Sequence, residues 1–325
     1  MSEPSRVPPV PVEFEDMART QYAVQDELLE VPSIVGVALG HKHVAGEDTG
    51  ERAIVVLVEN KIAAEILPDS DIVPPAIGGI PTDVREVGIL RAGPLPLAAS
   101  AVTLTKRYRP AFGGISVGHH GITAGTVATG CYDATPFPGS PSRFFLLSNN
   151  HVLANSNAAA IGDAILQPGP YDGGTLEADT IGKLSRFVEI KFEPGTVNEV
   201  DAAIAEVDLS ELDRRIHWVG NLRRSVITPQ VGLLVSKCGR TTGFTTGKIV
   251  NINATVDVRY GANQTARYVG QFITSPMSAP GDSGSLVADL DGGAVGLLFA
   301  GSTLATVVNT IEAVQRLLGV RVADG

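Results

Sequence analysis

Cysteine, tryptophan and long apolar runs are what this sequence has least of. Its two cysteines, Cys131 and Cys238, lie far apart in 325 residues and cannot build the disulfide framework of a small secreted domain. No apolar run reaches the ~18 residues a membrane-crossing helix needs. The start, Met1-Ser2-Glu3-Pro4-Ser5-Arg6, lacks the basic opening and apolar core of a secretory signal, so a reducing, cytoplasmic setting is expected. Basic residues are outnumbered, 25 Lys and Arg against 35 Asp and Glu, and a net charge of −10 leaves no footprint for nucleic acid. Histidines with metal-ligand spacing are also missing. His119 and His120 are adjacent and would point apart on a strand, so they read as a surface loop, and His41-Lys42-His43 reads as a solvated hairpin. No metal and no cofactor are expected.

Glycine and proline are plentiful, at 36 and 21 residues, among many Val, Ile and Thr. Short strands separated by tight turns suit that composition, and a hydrophobic content of 44% supplies a sizeable core. Strands are expected over 122–129, 144–148, 179–184, 201–207, 233–235, 248–256, 267–272, 285–288 and 294–299, enough for two packed antiparallel barrels. The last segment changes period. Ile311, Val314, Leu317 and Leu318 share one helical face, Asn309 is placed to cap it with Glu312 three residues on, and Gly319 stops it. Ahead of the strand-rich part, a helix is expected over 13–29, then a hairpin of 34–39 and 53–58 around the turn 46–50, with 80–84 as a returning edge strand. The organisation read from this is a flexible tail 1–11, a small α+β domain 12–92, a linker 93–110 containing Pro94 and Pro96, and a larger domain 111–325.

Pro280-Gly281-Asp282-Ser283-Gly284-Ser285 is the segment richest in chemistry. Glycines flanking a serine let the backbone curl behind the hydroxyl, and the amides of Gly281 and Ser283 are then placed to face an oxyanion. A serine hydroxyl is a weak nucleophile without a base, itself oriented by a buried carboxylate. His151 follows the apolar run 144–147 and the polar Ser148-Asn149-Asn150, a rigid support for an imidazole. Asp201 is a lone carboxylate inside an apolar run, costly to bury unless paired. Asp179 and Asp208 are rivals in less apolar contexts. The order His, Asp, Ser excludes the α/β-hydrolase and subtilisin arrangements, and the former also wants a glycine where Ser285 stands.

Taken together, these pieces resemble the chymotrypsin-fold serine peptidases, in particular the streptogrisin-like and glutamyl-endopeptidase-like branches. The segments that carry the resemblance are 147–152, 201–205, 239–256 and 280–285. The whole chain also resembles narrow-leaf-type proteins, which place a small N-terminal domain before a trypsin-like one. The resemblance implies a mainly β fold of two antiparallel six-stranded barrels with a C-terminal helix. It also implies an endopeptidase acting through His151, Asp201 and Ser283, with Gly281 and Ser283 as oxyanion donors. Met277, Phe299, Ala300 and Gly301 would flank the pocket for the side chain before the cut bond. No acid occupies the pocket base, and Leu298 stands where glutamate-specific relatives keep a histidine, so an apolar or small side chain is expected. Asp282 needs a cation: either a new N-terminus released before Ile115, or Arg240 or Lys237 from within. The expected partners are protein or peptide substrates and a regulatory protein docked through the N-terminal domain. The competing reading is a catalytically silent scaffold that keeps the peptidase fold.

Overall fold

The computed structural model describes residues 10–92, 103–122, 124–134, 141–261 and 264–323. Most of the expected tail and linker falls outside the described residues. The chain is mainly β. Its first ring joins Ser116–His119, Ala164–Leu166, Thr180–Phe187, Ala203–Glu206 and Phe144–Ser148 in that spatial order. A bent segment completes it. Gly125–Thr126 pairs with Ser116–His119 at one end and Gly130–Asp133 with Phe144–Ser148 at the other. Between them, Val127 N–H donates to Ile115 O at 2.9 Å and Ala128 N–H to Leu147 O at 2.8 Å. Phe145, Leu147, Ile165, Leu184 and Ile204 are all buried in one core cluster of this part of the chain.

A second ring closes fully. Leu234–Gly239, Gly243–Tyr260, Gln264–Thr274, Thr306–Thr310, Ala294–Gly301 and Leu286–Asp289 pair antiparallel in a circle. Closure leaves these six strands with few unpaired backbone groups. The catalytic candidates sit between the two rings.

The segment 12–92 contains the helix and hairpin expected of it, but it does not close a sheet of its own. Ile34–Val44 and Glu47–Val58 form a hairpin longer than the alternation suggests, because Ala45 and Gly46 take φ of 53° and 87° and make the whole turn. The polar run after Gly46 therefore continues as exposed strand. Ile34–Val44 then pairs antiparallel with Gly243–Tyr260, with Gly36 opposite Val256 and Gly40 opposite Asn251. One eleven-stranded sheet runs from the second ring through the hairpin to Ile80–Glu86. Helix Glu15–Leu28 covers this sheet with Met17, Ala18, Gln21 and Gln25 buried. Gln21 Nε2 donates to Val37 O at 3.1 Å and Asn253 O at 2.8 Å, and Thr255 Oγ1 donates to Gln25 Oε1 at 2.9 Å. Two face positions of the helix are thus hydrogen-bonded amides, which is why its apolar stripe looks incomplete in sequence.

Two local expectations change. The strand expected from Asp179 begins at Thr180, because Leu176–Asp179 is a helical turn capped by Thr175, whose amide donates to Asp179 Oδ2 at 2.9 Å. The terminal helix is Ile311–Leu318 with Thr310, not Asn309, at its N-cap, and Gly319 ends it at φ 65°. Asn309 turns inward instead.

Candidate active site

Ser283 stands on a loop built around a buried ion pair. Lys237 Nζ lies 2.9 Å from Asp282 Oδ2, and both side chains are fully excluded from solvent. The Asp282 carboxylate also accepts from the amides of Ala279, Thr241 and Thr242 at 3.0, 3.0 and 3.1 Å and from Thr242 Oγ1 at 2.6 Å. Five donors offset the desolvation of the charge, the condition a buried pair needs. Arg240 pairs with Asp172 instead. Ile115 is buried mid-chain in the first core. In the uncleaved chain Asp282 is therefore held by Lys237.

Gly281 and Gly284 have φ of 94° and 95°, a region that disfavours any side chain. A Cβ at Gly284 would also overlap Ser148 Oγ and the Thr126 carbonyl. The carbonyls around the serine are tied back: Pro280 O accepts from Thr241 Oγ1 at 2.9 Å, Gly281 O from Thr126 Oγ1 at 2.8 Å, and Ser283 O from the Thr126 amide at 2.8 Å. Among the described residues, the amides of Gly281 and Ser283 donate to no protein oxygen.

His151 lies on the helical turn Asn150–Leu153, immediately after Phe144–Ser148. Its Nδ1 is 2.6 Å from Asp201 Oδ2, and its amide donates to Asp201 Oδ1 at 3.2 Å. Asp201 is fully buried and its backbone is fixed too. Its amide donates to Asn309 Oδ1 at 3.1 Å, and its carbonyl accepts from Asn149 Nδ2 at 2.7 Å. Tyr260 OH donates to Asp201 Oδ2 at 2.7 Å and sits 2.6 Å from Tyr268 OH. Burial first, then the negative charge of Asp201, holds both phenols well above the ordinary tyrosine range, so they stay protonated donors.

The remaining imidazole nitrogen, Nε2, is buried with no hydrogen-bond partner among the described residues. Ser283 Oγ lies 3.4 Å from Phe299 O. His151, Ser283, Gly281, Tyr260, Asn155 and Ala92 line one open cleft of about 520 Å³. The arrangement offers a base with its tautomer fixed by a carboxylate, a hydroxyl in the same cleft, and two amides beside that hydroxyl.

Met277, Phe299 and Ala300, expected at the substrate pocket, are buried. Met277 is packed into one core cluster and Phe299 and Ala300 into another, while Gly301 is paired with Arg91. None of the four lines the cleft. Of these four, Phe299 approaches Ser283 Oγ through its carbonyl oxygen, at 3.4 Å. His119 is not in a surface loop. It is buried on Ser116–His119, its Nε2 3.1 Å from Asp163 Oδ2 while its Nδ1 accepts from the Gly121 amide at 3.0 Å. Among the described residues no three His, Cys, Asp or Glu side chains converge as a metal site. Sequence reasoning missed Tyr260, Tyr268, Asn149 and Asn309. Only Asn149 carried a signal, its place two residues before His151.

No family model matches the chain, and no curated protein matches its sequence. Among solved structures it is similar to Thermobifida fusca protease A, at 17% identity over 66% of this chain and 98% of that one, with a TM-score of 0.46. It is also similar to a glutamic-acid-specific serine protease that uses a histidine triad in substrate binding, at 17% identity over 66% and 100% with a TM-score of 0.47. Nocardiopsis protease (NAPase) matches at 20% identity over 65% and 97%, with a TM-score of 0.44. These neighbours are serine proteases, each spanning about two thirds of this chain.

Proposed function

We propose that this chain is a serine peptidase working through His151, Asp201 and Ser283. The observation that carries the reading is the 2.6 Å bond between His151 Nδ1 and the buried Asp201, on an imidazole whose other edge shares a cleft with Ser283. In this mechanism Ser283 Oγ attacks the scissile carbonyl as His151 Nε2 takes its proton, then returns it to the leaving amine. Asp201 stabilises the imidazolium. The Gly281 and Ser283 amides receive the oxyanion, each worth on the order of 3 kcal/mol. Water then repeats the sequence on the acyl-enzyme. That His151 Nε2 has no hydrogen-bond partner among the described residues is compatible with catalytic hydrogen bonds that form fully only with substrate bound. Substrates with an apolar or small side chain before the cut bond, and a regulatory protein docked on the segment 12–92, belong to the same proposal.

The test is covalent labelling of the intact chain by an alkyl fluorophosphonate, with Ser283→Ala beside it and the mass recorded. Labelling of the uncleaved chain that disappears in Ser283→Ala is expected, since Lys237 already holds Asp282. An unlabelled intact chain would favour the silent scaffold, whose sign in the structure is the unmade bond between Ser283 and His151.

A further inference from the structure

The short strand Arg91–Ala92 lies where an extended peptide would approach Ser283. Along one side, Ala294–Gly301 pairs with Thr306–Thr310 as far as Gly301 opposite Thr306. On its other side the neighbour Leu286–Asp289 runs out, the last ladder pair being Leu286 with Leu297. Backbone bonds between Leu298 and both Gly284 and Ser285 then lead into the serine loop. Beyond them the edge 299–301 adjoins the nucleophile, with Phe299 O 3.4 Å from Ser283 Oγ. Backbone groups on such an edge need partners, and an extended peptide is the usual one.

Here the chain supplies the partner itself. Arg91 pairs antiparallel with Gly301 and parallel with Arg259, and Ala92 pairs with Tyr260. An antiparallel strand starting at Gly301 runs toward Phe299, so Arg91–Ala92 points at Ser283, and Ala92 lines the cleft beside it. The strand is firmly anchored. Val87 and Leu90 are buried in the core cluster that contains Tyr268 and Phe299. Val87 O accepts from Ser302 Oγ at 2.5 Å, and Leu90 O from the Arg259 amide at 3.1 Å.

We infer that Arg91 and Ala92 determine specificity at this site. They seat the chain's own backbone on the edge that the acyl side of an extended peptide would use, so the cleft takes short acyl groups and refuses extended ones while the strand is in place. This rests on reading Ser283 as the nucleophile, and it makes access to longer peptides conditional on unseating one short strand.

The experiment uses the full chain, the alkyl fluorophosphonate, and acetyl-capped peptide anilides with one to four residues before the anilide. In the wild type kcat/KM is expected to vary by less than about threefold across the series, and in Arg91→Pro, which removes a backbone donor from the exposed strand, to climb at least about tenfold with length. Labelling by the small probe should be the same in both proteins. A wild-type kcat/KM that climbs tenfold with length, no turnover of the one-residue anilide, or a flat series in an Arg91→Pro protein that still labels overturns the inference. If Arg91→Pro does not fold, the wild-type series decides alone. A wild type that does not label at all refutes the reading of Ser283 itself, which separates the two failures.

Discussion

Asp201 Oδ2 accepts from both His151 Nδ1 and Tyr260 OH, and Tyr260 is in turn backed by Tyr268. A hydrogen bond to a charged group is worth about 1.5–3 kcal/mol net. Tyr260→Phe keeps the ring and removes that bond. Urea denaturation should show a loss of about this size, and fluorophosphonate labelling of Ser283 should slow by about tenfold. Lys237 has a larger stake. Lys237→Met leaves Asp282 buried without its cation, which costs about 3–5 kcal/mol, and labelling should be lost with the loop. Retained labelling in that variant would mean that the amide and hydroxyl donors to Asp282 hold the loop by themselves. At this scale His151, Asp201 and Ser283 could be singled out as candidates because motif, apolar context and chain order each limited the choice. Tyr260 was not, because a tyrosine near the end of a polar hairpin strand gives no sign that its hydroxyl reaches a carboxylate 59 residues away in the chain.

The hairpin, expected with the helix Glu15–Leu28 within a small N-terminal domain, is paired with the strands of the second ring. Ile34–Val44 is hydrogen-bonded along Gly243–Tyr260, and Arg91–Ala92 joins that strand to Ala294–Gly301. Phe14 and Met17 share one core cluster with Phe272 and Val308. A chain beginning at residue 103 would expose this cluster and the edge of Gly243–Tyr260 together, and is expected to be insoluble or molten by circular dichroism and size exclusion. A monomeric, cooperatively melting product would instead show that the second ring stands alone. Phe14→Ala in the full chain should cost about 3–5 kcal/mol, read from urea denaturation. The element types were legible because strand alternation and helical spacing are local. The partners were not, because a strand's sequence shows which face is apolar but not which edge it lies against.

Across the whole molecule, the two rings bury both thiols, Cys131 in the first core and Cys238 beside the Lys237–Asp282 pair. Burial raises both, Cys238 from 9.0 to about 11 and Cys131 further. Neither should react with a disulfide reagent at pH 8 until the protein is denatured. The folded state keeps a proton on Cys238 that the unfolded chain gives up near pH 9, so the folded state binds more protons between about pH 9 and pH 11. Stability should therefore fall with rising pH across that window, and less so in Cys238→Ala, as checked by urea midpoints. A midpoint in Cys238→Ala that falls just as steeply would assign the loss to other groups.

Composition, chain order and the glycine-flanked serine, all local properties, determined by themselves that the chain is mainly β and which three side chains are the candidates for its chemistry. Tertiary structure alone decided that Lys237 holds Asp282, that Tyr260 and Asn309 brace Asp201, and that the chain's own Arg91–Ala92 strand occupies the edge beside Ser283. Each of these joins residues distant in sequence through backbone pairing or burial. Such contacts arise only when the rings close, because no local pattern records which strand edges and buried charges will meet.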